Sequence, residues 1–122
     1  MINKLAIFGV GLIGGSFALA LRKAGAVREI VGVGRTAGNL EEALRLGVID
    51  RAAVDAASAV QGADLVMLAV PVGQMAAVMA SISPYLSAQT IVIDAGSTKC
   101  DVVALAHLHL PGHLARFVPA HP

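Results

Sequence analysis

The chain has no tryptophan, one tyrosine and three phenylalanines in 122 residues. With aromatics at 3% and its nine Lys and Arg scattered along the chain, it lacks both the base-stacking platform and the phosphate-tracking stripe of a nucleic-acid binder. Cys100 is the only cysteine. An intramolecular disulfide is therefore excluded, and the cytoplasm, a reducing compartment, is the expected location. Charge is scarce too: 14% of residues are charged, with a formal net charge of +1, against 57% hydrophobic residues. That balance suits strands covered by helices on both faces better than an antiparallel sheet with one wet face. Repeats and low-complexity tracts are also missing, and the length is that of a single domain, residues 1–122.

One uncharged stretch calls for a physical reading. Between Lys4 and Arg22 no residue is charged, as in a short membrane span. Gly9, Gly11, Gly14 and Gly15 interrupt it where a strand would hand over to a helix. The run is also at the short end of the ~20 residues a span needs. A membrane segment is not expected.

What the run does contain is Gly9-Val-Gly-Leu-Ile-Gly-Gly-Ser16, placed after the apolar segment Leu5–Phe8 and before a helical pattern. Gly9, Gly11 and Gly14 form G-x-G-x-x-G. Glycines at this spacing permit a tight turn, close approach of backbone to a pyrophosphate, and close helix-on-strand packing, while the helix start offers free N–H donors. Gly9, Gly11, Leu12, Ile13 and Gly14 are thus candidate contacts of a dinucleotide.

The remaining pattern alternates strand and helix. A helix is expected from about Leu12 to Ala24, ended by Gly25, and a strand over Glu29–Val33. A second helix fits Leu40–Leu46, closed by Gly47, followed by a small strand near Arg51–Ala53 and a short helix capped by Asp55 and reaching Gln61. Asp64–Val70 reads as a central strand stopped by Pro71, Gln74–Ile82 as a helix, and Thr90–Asp94 as a further strand. Ser97 or Thr98 caps a helix to about His109, and Arg116–Val118 is the last short strand. Right-handed crossovers turn this order into an α/β fold, a Rossmann-like, doubly wound, mainly parallel sheet with its ligand crevice beyond the carboxyl ends of the strands.

Chemistry is sought at those ends. A NAD site usually places a carboxylate after the second strand, for the ribose 2′-OH. Here Gly34 stands there, followed by Arg35 and Thr36. A guanidinium fork and a hydroxyl suit a 2′-phosphate, so NADP is favoured over NAD, although Arg35 stacking on adenine would serve either. Val70 and Pro71 end the central strand over the expected cofactor, as lining or as a simple terminator. His121, held between prolines, can act as a general base at neutral pH or simply be exposed. Ser97, Thr98 and Lys99 offer a hydroxyl donor, a helix cap and a cation side by side, or only a cap with Lys99 solvated. His107, His109 and His113 do not form a metal set, because i,i+2 spacing puts the first two on different helix faces.

Taken together, Gly9–Ser16, Gly47-Val-Ile-Asp50, Ala63–Val66 through Val70-Pro-Val72, Asp94-Ala-Gly-Ser-Thr-Lys99 and His121-Pro122 resemble the prephenate and arogenate dehydrogenases of tyrosine biosynthesis, across essentially the whole chain. The resemblance implies oxidative decarboxylation of prephenate or arogenate with hydride transfer to NAD(P). It assigns the deprotonation of the ring 4-hydroxyl to His121 and the positioning of substrate and nicotinamide to Ser97. It further implies a C-terminal helical dimerisation domain absent from these residues, a homodimeric parent enzyme, and a nucleotide-binding half with little turnover alone. The alternatives are another reductase, of the pyrroline-carboxylate reductase or β-hydroxyacid dehydrogenase type, and a non-catalytic NAD(P)-sensing module.

Overall fold

Strands and helices alternate in the order β1 (Ile2–Phe8), α1 (Leu12–Lys23), β2 (Val27–Val33), α2 (Ala37–Arg45), β3 (Arg51–Ala52), α3 (Ala56–Val60), β4 (Leu65–Leu68), α4 (Val72–Ile82), a 3-10 turn (Ser83–Tyr85), β5 (Ile91–Asp94) and β6 (Phe117–Pro119). The computed structural model describes residues 2–10, 12–34, 37–94 and 117–119. The expected helix between Ser97 and His109 lies outside the described residues.

The six strands form one sheet in the order β3-β2-β1-β4-β5-β6, and every pairing is parallel. After β1 the chain moves outward to β2 and β3, then returns to the other flank of β1 as β4. The direction of winding thus reverses between β1 and β4. This is where a doubly wound sheet opens a crevice at its carboxyl edge.

Burial on both faces follows from the two-residue side-chain period of each strand. Leu5 and Ile7 of β1 join Ile30 and Met67 in a core that includes Ala18 of α1 and Ala43 of α2. Ala6 and Phe8 point the other way, with Val31, Val66 and Leu68, into a core closed by Val60 of α3 and by Met75, Met79 and Ile82 of α4. Successive apolar residues are therefore all needed, which explains the run of strands without polar alternation.

Turn chemistry sets the helix ends. Gly25 and Gly47 take positive φ, +67° and +74°, at the ends of α1 and α2, the conformation an L residue adopts at a cost. Asp55 accepts from the Ser58 N–H at 2.7 Å and caps α3. Arg22 and Lys23 sit in the last turn of α1, complementing the negative end of its dipole.

At the amino edge of the sheet, away from the crevice, polar side chains tie elements together. The Asp64 carboxylate accepts the backbone N–H groups of Asn3 at 2.5 Å and Lys4 at 3.3 Å. Lys4 Nζ donates to the carbonyls of Ser58 and Gln61 at the end of α3, at 3.1 and 2.7 Å. Asp50 accepts from the Ile30 N–H at 2.7 Å and pairs with Arg22 at 3.2 Å, joining β2 to α1.

Several boundaries differ from expectation. β2 begins two residues before Glu29 because Val27 pairs with Ile2. β4 is shorter than Asp64–Val70: the strand is Leu65–Leu68, Ala69 N–H makes a last hydrogen bond to the Phe8 carbonyl of β1, and Ala69 and Val70 then floor the crevice. α4 starts at Val72 rather than Gln74, directly after Pro71, whose φ of −56° and missing N–H are tolerated at a helix start. Among the described residues no helix is long and apolar enough to cross a membrane.

Candidate functional site

A cleft of about 360 Å³ opens at the carboxyl ends of β1, β2 and β4. Phe8, Gly9 and Val10 supply one side, Val33 and Gly34 a second, Ala69, Val70 and Pro71 the floor, and Gln74 and Val78 the wall from α4.

The turn after β1 is held against this floor by its backbone. Gly9 N–H donates to the Val33 carbonyl and Ala69 N–H to the Phe8 carbonyl, both at 2.8 Å. Gly9 has φ +91°, and a Cβ placed there would overlap the Ala69 carbonyl oxygen and lie 2.8 Å from the Ala69 carbonyl carbon. Gly14, buried in the first turn of α1, has the same problem from behind: its Cβ would overlap the Gly9 carbonyl oxygen and crowd Ile7 Cγ2 at 3.1 Å. Neither position has room for a side chain. The outcome is a backbone-lined ledge onto which α1 opens with no acidic residue in its first turn, so its free N–H groups have no carboxylate competing for them.

Sequence expectation and structure agree in part on the site. Gly9, Val70 and Pro71 line the cleft, and Gly14 backs it. Leu12 and Ile13 open α1 beside it. Gly11, Arg35, Thr36, Ser97 and His121 lie outside the described residues. Gly34, noted in the sequence as standing where a carboxylate is usual, lines the cleft too, and Phe8, Val10, Val33, Ala69, Gln74 and Val78 line it without having been singled out. The last residues of β1 and β2 are natural members, and Gln74 and Val78 share one helix face four residues apart, a spacing readable from the sequence once Pro71 is taken as the helix start.

None of the described lining residues is titratable. Among the described residues, the two groups with displaced pKa values sit elsewhere. Burial pushes the Lys4 ammonium below its ordinary value, the positive charge of Arg51 adds to this, and Glu29 opposes it. The Asp55 carboxyl is held below the usual carboxylate range by the Ser58 backbone N–H and then by the Ser58 side chain. Among its described lining residues this part of the crevice therefore offers shape and apolar surface, and no acid or base. Asp94 is a buried carboxylate at the carboxyl end of β5, in register with Leu68 of β4 and Pro119 of β6.

Comparison with known proteins gives a consistent result. The family described as "Prephenate dehydrogenase, nucleotide-binding domain" matches residues 17–122. Prephenate dehydrogenase of Lactococcus lactis subsp. cremoris (strain MG1363) is 36% identical over 122 residues, covering 98% of this chain and 34% of its own length. The crystal structure of prephenate dehydrogenase from A. aeolicus in complex with hydroxyphenyl propionate and NAD+ superposes with a TM-score of 0.86 at 32% identity, covering 100% of this chain and 42% of that one. Synechocystis arogenate dehydrogenase gives 0.83 at 30% identity, covering 98% of this chain and 40% of that one. The chain spans roughly a third to two fifths of the length of the curated relatives it matches.

Proposed function

Because this chain belongs to the prephenate dehydrogenase family and matches that family's nucleotide-binding domain, we propose that it holds NAD(P) in the cleft above β1 and β4, as the cofactor-binding part of an enzyme that oxidatively decarboxylates prephenate or arogenate. The observation that carries this reading is the ledge at Gly9 and Gly14, where the turn packs backbone on backbone against Ala69 and the start of α1 only because both residues lack a Cβ, leaving main chain to face the cleft. The dinucleotide, when bound, supplies the hydride acceptor. Gly9, Gly11 and Gly14, with the start of α1 at Leu12 and Ile13, would receive the pyrophosphate; Val70 and Pro71 would floor the site.

The finer assignments rest on sequence. Arg35 and Thr36 follow Gly34 at the end of β2, where a NAD-selective site carries a carboxylate. A cation and a hydroxyl there favour the 2′-phosphate of NADP. His121 would take the proton from the substrate's 4-hydroxyl, and Ser97 would hold that hydroxyl in place. Ser97 comes three residues after Asp94, and His121 two after Pro119, so both segments leave from the carboxyl edge of neighbouring strands. A cytoplasmic homodimer is the proposed context of the whole enzyme.

Titrating the chain with NADPH and NADH, followed by nicotinamide fluorescence, tests the binding. Saturable binding with NADPH the tighter ligand is expected. Absence of binding to either overturns the function, and a clear preference for NADH overturns the NADP assignment. Cofactor reduction by the full-length protein with prephenate and with arogenate then identifies the substrate.

A further inference from the structure

The cleft has one conspicuous chemical feature. Phe8, Val10, Val33, Val70 and Val78 give it apolar walls, and among its described lining residues Gln74 alone carries a polar side chain. Gln74 is half-buried in the first turn of α4. Its backbone N–H is engaged with the Pro71 carbonyl at 2.8 Å, while its side-chain amide has no hydrogen-bond partner among the described residues. The amide is open to the cleft, so a ligand that supplies both a donor and an acceptor can pair with it in place of water.

We propose that Gln74 reads the edge of the adenine ring of the dinucleotide, a role that rests on the cofactor-binding reading above. The orientation follows from topology. In a doubly wound sheet the end of the second strand receives the ribose of the adenosine half, so the base attached to that ribose falls beside Val33 and Gly34, within the part of the cleft faced by α4. A flat π-system suits apolar walls on either side. Adenine presents an amino donor next to a ring-nitrogen acceptor, the complement of a carboxamide, and this is the pairing by which glutamine recognises adenine elsewhere. Gln74 is thereby a specificity residue for the base, separate from Arg35 and Thr36, which concern the ribose. The nicotinamide half lies on the far side of the pyrophosphate and does not meet it.

The test separates the two halves of the cofactor. The chain and its Gln74→Met variant are titrated calorimetrically with NADPH, with ADP and with nicotinamide mononucleotide. Methionine keeps length and packing but neither donates nor accepts well, so NADPH and ADP should bind about tenfold more weakly, within the range for losing one such pair, with the mononucleotide unchanged. Gln74→Glu, equal in size but without the amide donor, should weaken ADP in the same direction, which guards against a variant that fails to fold. Unchanged ADP affinity in both variants overturns the assignment while leaving the cofactor reading intact. Equal losses for ADP and the mononucleotide overturn it as well, since they mark a general disturbance of the cleft. A parent chain that binds neither NADPH nor ADP overturns both.

Discussion

Three glycine-to-alanine substitutions separate what the turn after β1 requires. At Gly25, φ is +67° and nothing lies within 4 Å of a new Cβ, so only the left-handed backbone is penalised. That costs ~1–2 kcal/mol, partly offset by ~0.4–1 kcal/mol from the stiffer unfolded chain. At Gly14, φ is ordinary but the Cβ meets the Gly9 carbonyl and Ile7. There, overpacking of ~1–3 kcal/mol opposes a helix-propensity gain of ~1 kcal/mol. Gly9 combines both problems: φ +91° and an overlap with the Ala69 carbonyl, a rigid backbone group that cannot swing aside. The two costs sum to ~2–5 kcal/mol for Gly9→Ala. Urea unfolding followed by far-UV circular dichroism should show the largest loss of stability for Gly9→Ala, with Gly14→Ala and Gly25→Ala both losing ~0–2 kcal/mol. Dinucleotide titration adds the functional half. Gly25→Ala should bind like the parent, while Gly9→Ala, where it remains folded, should bind at least tenfold more weakly, ~1.4 kcal/mol or more. A Gly9→Ala protein no less stable than Gly25→Ala, with parental affinity, would refute the reasoning that close backbone approach shapes this site.

Other perturbations probe other parts. Ile7→Ala, at a fully buried β1 position, should lose about 2–5 kcal/mol in the same urea experiment and leave cofactor affinity per folded molecule unchanged. In the full-length protein, His121→Asn should lower turnover by about 10² to 10⁴, read as prephenate- or arogenate-dependent cofactor reduction; an unaltered rate removes His121 from the mechanism. Asp55 has a carboxyl pKa depressed by its cap, so it stabilises the fold above the unfolded-state value and loses that contribution as pH falls through the folded-state value. Asp55→Asn, which retains an acceptor but does not titrate, should flatten this limb, and the unfolding midpoints of the two proteins should change in parallel above pH ~5.

Much of the architecture was legible because burial on both faces leaves long apolar strands and because glycines mark the helix ends. The segments Leu65–Leu68 and Ile91–Asp94 are β-rich runs that no helical period fits. Gly25 and Gly47 end helices where expected, through their positive φ. What failed to show was where an apolar run stops being strand. Ala69 and Val70 continue the hydrophobic pattern of β4 yet lie beyond the strand, where after one last hydrogen bond from Ala69 N–H to β1 they form the floor of the cleft. The glycine motif marked, from spacing alone, the turn where Gly9 and Gly14 have no room for a side chain. The walls from Phe8, Val33 and Val78 look in sequence like any core residues, since an apolar cleft and a protein core ask for the same side chains. Gln74 was hidden for the opposite reason: one amide in the first turn of an apolar helix reads as an exposed polar position until the cleft beside it is seen.

The shortness of the sheet's flanks has a bearing on how this domain lives at high concentration. β3 contributes two residues, and β6 contributes three and ends in Pro119, which has no N–H to offer. At either margin of the described sheet a stray extended chain would find only a residue or two to zip against, too few to nucleate cross-strand growth. A chain that is more than half hydrophobic would otherwise be a candidate for fibrillar self-assembly. Among the described residues the interior strands are covered by helices on both faces, and the two marginal strands present only short edges.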